Sequence, residues 1–157
     1  MLGSVSEAVW RGGAFCSIER TLEIVGDRWS FLVLRQSLVY GMTRFSEFEN
    51  ALRIAPNILT DRLEKIVLAA ILEKREYQEP GLRSRFSYHP TPAGSQMTLV
   101  LGALQQWGDD NVPPDDGPSL LRRTVDDESP VRVAFVEEGG TAVPVDRVKF
   151  VTPPAYQ

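Results

Sequence analysis

The chain has 157 residues, 43% of them apolar, which is enough for one domain with a real core plus an extension. Its single cysteine, Cys16, excludes an intrachain disulfide, and one histidine, His89, leaves no zinc ligand set. The net charge of −4 argues at first against a nucleic-acid partner, but residues 1–108 hold 12 basic and 11 acidic side chains while residues 109–157 hold 5 and 10, so the acidic excess lies in the tail.

No apolar run approaches the roughly 20 residues a membrane helix needs, and the N-terminus lacks a charged-then-apolar secretory pattern, so no membrane partner and a cytoplasmic location are expected. Nucleophile elbows, paired-carboxylate motifs, phosphate-binding glycine loops and metal clusters are missing from the sequence. The expectation is therefore a protein that is not an enzyme and needs no cofactor or metal.

Gly26-Asp27 is the first clear punctuation. The glycine can end a helix running from about Ser17 to Val25, and Asp27 can cap the next, which extends from Arg28 to about Tyr40 and is apolar nearly all round, as a central helix should be. Thr43 is the expected cap of a short third helix carrying Phe45, Phe48 and Leu52. Pro56 then opens a fourth, since proline at the first helical position loses no hydrogen bond. Two short helices with a tight connection read as helix-turn-helix.

In the fourth helix Leu59, Leu63 and Ile66 recur at i, i+4 and i+7, leaving Asn57, Thr60, Asp61, Arg62 and Lys65 free to meet something polar. Beyond Leu72 the period shifts to strand: residues 72–79 and 84–89 flank the Pro80-Gly81 turn and form a hairpin with arginines at its tip. Thr91-Pro92 restarts a helix by cap and first-turn proline, and Met97, Val100, Leu101, Leu104 and Trp107 give it one apolar face up to Gly108.

The expected fold is mainly α with small β, an α+β winged helix-turn-helix with a C-terminal β-rich extension. Its parts are residues 1–110 for DNA binding and dimerisation, a linker at 111–118, and a small β-hairpin extension at 119–157 of unassigned role. In that extension Val131 to Phe135, Val143, Val145, Val148 and Phe150 read as short strands around the turn at 137–140.

The fourth helix, about 10–12 Å across with side chains, matches the ~12 Å B-DNA major groove. There Asn57 can bond adenine, Arg62 a guanine edge or a phosphate, and Thr60 either base type, while Lys65 suits a phosphate and the helix N-terminus offers N–H groups to another. Arg83 and Arg85 at the hairpin tip and Arg44 before the third helix are backbone or minor-groove candidates. Set against this, a polar helix face is commonly just solvated, and Arg62 can pair with nearby acids.

Cys16-Ser-Ile-Glu, Gly26-Asp-Arg-Trp, Arg44-Phe-Ser-Glu-Phe, Ile54-Ala-Pro-Asn-Ile-Leu-Thr-Asp-Arg-Leu, and Tyr88-His-Pro-Thr-Pro-Ala-Gly followed by Trp107-Gly-Asp occur in that order. Together they resemble the HxlR-type winged helix-turn-helix regulators of bacteria, over roughly residues 15 to 109. The resemblance implies a homodimer, joined largely through the first and last helices of the domain, that binds double-stranded DNA at an inverted-repeat operator.

Trp10, Phe15, Leu101, Leu104 and Trp107 are the candidate interface residues, with ordinary intradomain packing as their alternative. Where the family usually places glycine after the recognition helix this chain has Ala70, so a different helix end is expected. Alanine in a left-handed cap costs on the order of 1 kcal/mol.

Some family members sense electrophiles or oxidants through a cysteine at the position of Cys16, and others keep it without a redox role. Here Cys16 precedes helix one, where N–H groups and Arg20 favour a thiolate. Against that stands a buried structural cysteine, the commoner case. A lone thiol can end only in a Cys16–Cys16 bridge or a mixed disulfide. His89 reads as packing or surface. The tail resembles the metal ribbon of some relatives in position and length only; without cysteines it would hold by Val and Phe packing.

The reading is a sequence-specific transcriptional regulator. A winged helix used for protein contacts without DNA, or control by an unidentified small-molecule effector in place of thiol chemistry, are its competitors.

Overall fold

The structure is a computed structural model that describes residues 16–152. Trp10 and Phe15 lie outside the described residues. The chain divides into two units, 1–101 and 102–157.

In the first unit α1 (Ser17–Val25) ends at Gly26, whose backbone (φ −70°, ψ 2°) is not left-handed and whose Cβ, if present, would lie 2.3 Å from the carbonyl oxygen of Leu22. Helix α2 (Arg28–Leu38) is capped by Asp27, which accepts from the Ser30 N–H at 3.0 Å and from the Ser30 hydroxyl at 2.6 Å. Val33 and Leu34 of α2 are fully buried, in keeping with a central helix.

Helix α3 (Phe45–Leu52) is capped differently from the sequence expectation. Arg44, not Thr43, is the N-cap residue, and the Glu47 carboxylate turns back to accept the N–H groups of Thr43 and Arg44, both at 2.8 Å. The acidic third residue thus does the work expected of the threonine. Those N–H groups hold the Glu47 carboxyl below its ordinary range.

Helix α4 (Pro56–Leu68) buries Leu59, Leu63 and Ile66, as the i, i+4, i+7 spacing requires. With Val25, Val33, Leu34, Phe48 and Leu72 they form the centre of the core. Burial of each such side chain contributes ~1.5–3 kcal/mol.

Ala70 takes the left-handed conformation after all, with φ 55°. The Ile71 N–H donates to the Ile66 carbonyl at 3.1 Å and the Ala70 N–H to the Val67 carbonyl at 2.9 Å, which are the two bonds of a Schellman motif. The expected different helix end does not occur: two satisfied carbonyls and the burial of Ile71 and Leu72 outweigh about 1 kcal/mol of backbone strain.

Strands β1 (Leu72–Tyr77) and β2 (Arg85–Pro90) form the antiparallel wing, in register from Leu72 opposite Pro90 to Tyr77 opposite Arg85. Gly81, at φ 77°, supplies the turn. Arg44 bridges to Ser87, and the Tyr88 N–H donates to the Thr43 carbonyl at 2.7 Å, so the segment before α3 runs along the wing. A short α5 (Pro92–Ser95) follows, then α6 (Met97–Asn111), within which the division between the two units falls.

The second unit has two strands of two residues, β3 (Phe135–Val136) and β4 (Ala142–Val143), paired antiparallel. The other expected strands are absent: Val145–Arg147 is a 3₁₀ turn and Val131 to Ala134 is irregular. Packing of Val and Phe does not hold this unit, because none of its described residues is buried and Phe150 is 87% exposed.

Polar staples from α6 hold it instead. The Gln106 amide donates to the Val133 carbonyl at 2.8 Å and accepts the Val133 N–H at 2.9 Å, and Gln105 donates to the Leu120 carbonyl at 2.6 Å. A segment this short has too little interior to bury apolar side chains fully, so fixed amide bonds set its shape.

Candidate nucleic-acid interface

The HTH pair is α3 and α4, joined by a turn in which Arg53 stands at φ 49°. Ala55, the N-cap residue of α4, supplies no side-chain hydrogen bond, so the helix's first N–H groups remain open to an anion.

Opposite the buried stripe, Asn57, Thr60, Asp61, Glu64 and Lys65 are all exposed. The Thr60 hydroxyl is engaged with its own helix, donating to the Pro56 carbonyl at 2.9 Å. Lys65 has no ion pair among the described residues, so its ammonium is available.

Arg62 is not available in the same way. It flanks the buried stripe, beside Leu63 and one turn before Ile66, and its Nε lies 2.9 Å from Asp27 Oδ1. Its Nε is buried and without an aligned hydrogen bond, so the contact is one of charge, linking α4 to the cap of α2. Burial acts to raise the Asp27 carboxyl, but the Ser30 bonds and the Arg62 charge prevail and hold it below its ordinary 3.8.

In the wing, Arg83 and Arg85 are exposed and carry no ion pair among the described residues. Arg44 is engaged twice, with Nη1 3.0 Å from Glu79 Oε1 and its guanidinium 5.0 Å from the Tyr77 ring centre. It fastens the start of α3 to the wing, although about half of its side chain remains exposed.

Two exposed residues were missed by the sequence reading of this surface, Glu64 and Arg53, and Asp61, placed on the polar face, was given no contact there. Glu64 sits near the middle of the outer face beside Asp61, and a helical projection about Leu59, Leu63 and Ile66 would have found it. Arg53, in the turn itself, is exposed and unpaired among the described residues, but only its backbone placement identifies it.

Leu101 packs against the first unit's core, whereas Leu104 and Trp107 are 52% and 64% exposed. Cys16 is exposed, not buried, at the N-cap of α1, where its side chain makes no capping bond, and Arg20 donates to Ser17 Oγ at 3.0 Å. His89 is half-buried, 2.9 Å from Ser87 Oγ, a packing role. No group of three His, Cys, Asp or Glu among the described residues is arranged to hold a metal, and no helix among them is long and apolar enough to cross a membrane.

The family description HxlR-like helix-turn-helix matches residues 24–116. An uncharacterised HTH-type transcriptional regulator of Mycobacterium tuberculosis is 33% identical over 107 residues, covering 68% of this chain and 66% of the relative, a little under two thirds of that protein's length. The crystal structure of PA1607, a proposed transcription factor, superposes with a TM-score of 0.76 at 28% identity, covering 90% of this chain and 97% of that one. The redox regulator HypR in its oxidised form gives a TM-score of 0.52 at 25% identity, covering 61% of this chain and 97% of its own.

Proposed function

The chain belongs to the HxlR-like helix-turn-helix family, and from that membership we propose that it is a sequence-specific DNA-binding transcriptional regulator acting as a homodimer on an inverted-repeat operator. One observation carries the reading: the outer face of α4, from Asn57 to Lys65, is exposed, and the two wing-tip arginines beyond it carry no ion pair among the described residues. A DNA reader needs such groups free.

Lys65, Arg83, Arg85 and Arg53 are assigned to phosphates, with Arg44 a further backbone contact from the root of the wing. Asn57 is assigned to adenine and Asp61 to a cytosine amino group. Arg62 serves the fold, holding α4 to α2 through Asp27. The exposed apolar side chains Ile18 and Leu22 on α1, and Leu104 and Trp107 on α6, support the homodimer. The residues from 119 onward are assigned to an extension outside the DNA-reading surface, with residues 111–118 as its linker.

The test is fluorescence anisotropy with a duplex selected from random sequence, run over a salt series. Lys65→Ala, Arg83→Ala and Arg85→Ala are each expected to weaken binding about uniformly across sequences and to lower the salt slope by about 1. Asn57→Ala is expected to cost about 1–3 kcal/mol and relax discrimination at one base pair. Unchanged affinity in the whole set would move the function to a protein-binding winged helix, the reading that the Arg62–Asp27 pair favours at one position.

Exposure of Cys16, together with the likeness to HypR, supports a second reading in which the thiol controls binding. Oxidation would join Cys16 to the same residue of the other protomer, releasing two protons and two electrons to diamide or another oxidant. The same anisotropy in reductant and then in diamide decides it. Loss of binding that Cys16→Ser abolishes supports the switch, and binding indifferent to diamide discards it.

A further inference from the structure

The second unit has five basic residues against ten acidic ones, yet three of the five, Arg122, Arg123 and Arg132, line one open groove of about 260 Å³. Random placement on an acidic surface would scatter them. The groove is formed because residues 122–131 fold back on themselves: the Val131 N–H donates to the Arg122 carbonyl at 3.1 Å and the Thr124 N–H donates to the Ser129 carbonyl at 2.9 Å. Leu120, Leu121 and Val131 supply its apolar wall.

The charge in the groove is only partly matched. Arg122 Nη1 lies 3.3 Å from Asp109 Oδ2, long for a charge-assisted bond, and its Nε is buried without a hydrogen-bond partner. Arg132 Nη2 is 2.9 Å from Asp110 Oδ2. Arg123 makes no ion pair among the described residues; its Nη1 donates to the Glu128 carbonyl at 2.7 Å, a neutral partner that leaves other N–H donors for a ligand. Three guanidiniums against two carboxylates leave one positive charge.

We propose that this groove is a binding site for a small monocarboxylate with an apolar body, its carboxylate held by Arg123 with Arg122 and its body laid on Leu120, Leu121 and Val131. A single excess charge matches a monoanion better than a phosphate dianion, and the planar fork of a guanidinium fits a carboxylate bidentately. The apolar wall gives a free inorganic anion nothing to bury, whereas a ring or short alkyl chain gains from it. The site lies wholly within the second unit and does not depend on the DNA-binding assignment.

The experiment uses the full chain and 4-(trifluoromethyl)benzoate, followed through its fluorine NMR resonance. A saturable shift with half-saturation in about the 0.1–1 mM range is expected for a ligand of this size. Arg123→Gln, at an exposed position, should weaken it by about tenfold or more. Leu121→Trp, which fills the groove while leaving every charge in place, should abolish it.

The uncharged 4-(trifluoromethyl)benzamide should fail to compete, and inorganic phosphate should compete only weakly. The proposal is overturned by any of four results: no saturable shift, equal binding of the amide, displacement by phosphate at lower concentration than by carboxylate, or full binding in both variants.

Discussion

Asp27 holds two helices with one carboxylate: it caps α2 through Ser30 and meets Arg62 of α4. Asp27→Ala should therefore cost about 1–2 kcal/mol in urea unfolding, the range of a lost cap. Asp27→Asn keeps one capping oxygen and loses the charge and the second acceptor, so its loss should be smaller. Because the folded-state carboxyl is held below its ordinary value, its stabilising charge is fully present above about pH 4 and is lost as pH falls through the folded value. The difference between wild type and Asp27→Asn should shrink below that point, and a pH-independent difference would remove the charge from the account. At Ala70 the sign is opposite: Ala70→Gly relieves a φ of 55° and should raise stability by about 0.5–1 kcal/mol, less the extra freedom of the unfolded glycine. A fall in the urea midpoint with Gly at this position would mean that the left-handed turn is not strained.

Helix α4 is fixed at its far end by a residue more than twenty positions downstream. Thr91 caps α5 by accepting the Gly94 N–H at 3.0 Å, and its hydroxyl also donates to the carbonyls of Ala70 at 2.6 Å and Ile71 at 3.2 Å. Gly94 is needed for the approach, since a Cβ there would lie 1.9 Å from the Ile71 carbonyl oxygen. Thr91→Val keeps the shape and removes the hydroxyl, leaving the Gly94 N–H and the Ala70 carbonyl short of this partner, while the Ile71 carbonyl keeps the Thr91 N–H at 3.1 Å. It should cost about 1–3 kcal/mol, and Gly94→Ala more, both read from the urea midpoint. The local half of this device was legible: Thr91-Pro92 reads as a cap, as Gly26-Asp27 and Pro56 read as helix boundaries, because each signal acts within one turn. The reach of Thr91 back to the end of α4 is a tertiary contact that no local spacing encodes. The same limit explains Arg62, whose partner Asp27 is 35 positions away, and the second unit, where the glutamines of α6 bind backbone groups that leave no periodic trace. Hydrophobic periodicity located the core and the outer face of α4 because both follow from 3.6-residue geometry; it could not tell a free arginine from a paired one.

At the scale of the whole molecule, α6 has no buried residue, and Leu104 and Trp107 stand more than half exposed on it. Large apolar side chains left open on a helix are the kind of surface the proposed homodimer would cover, and α1 leaves Ile18 and Leu22 open as well. If both helices meet their two-fold mates, two α4 helices read half-sites about one helical turn apart, roughly 10 bp centre to centre or a multiple of it. Leu104→Arg and Trp107→Arg place a charge at positions that cost the isolated chain little, because both are already solvated. Light scattering should then report a mass falling from twice 17.5 kDa to 17.5 kDa, with helical circular dichroism unchanged. Affinity for the two-half-site duplex should drop to that of a single half-site, because only the dimer converts the second contact into an intramolecular one. A variant that stays dimeric would place the interface elsewhere. A variant that becomes monomeric yet binds the full duplex as tightly as wild type would separate dimerisation from DNA reading and leave α4 and the wing to act alone.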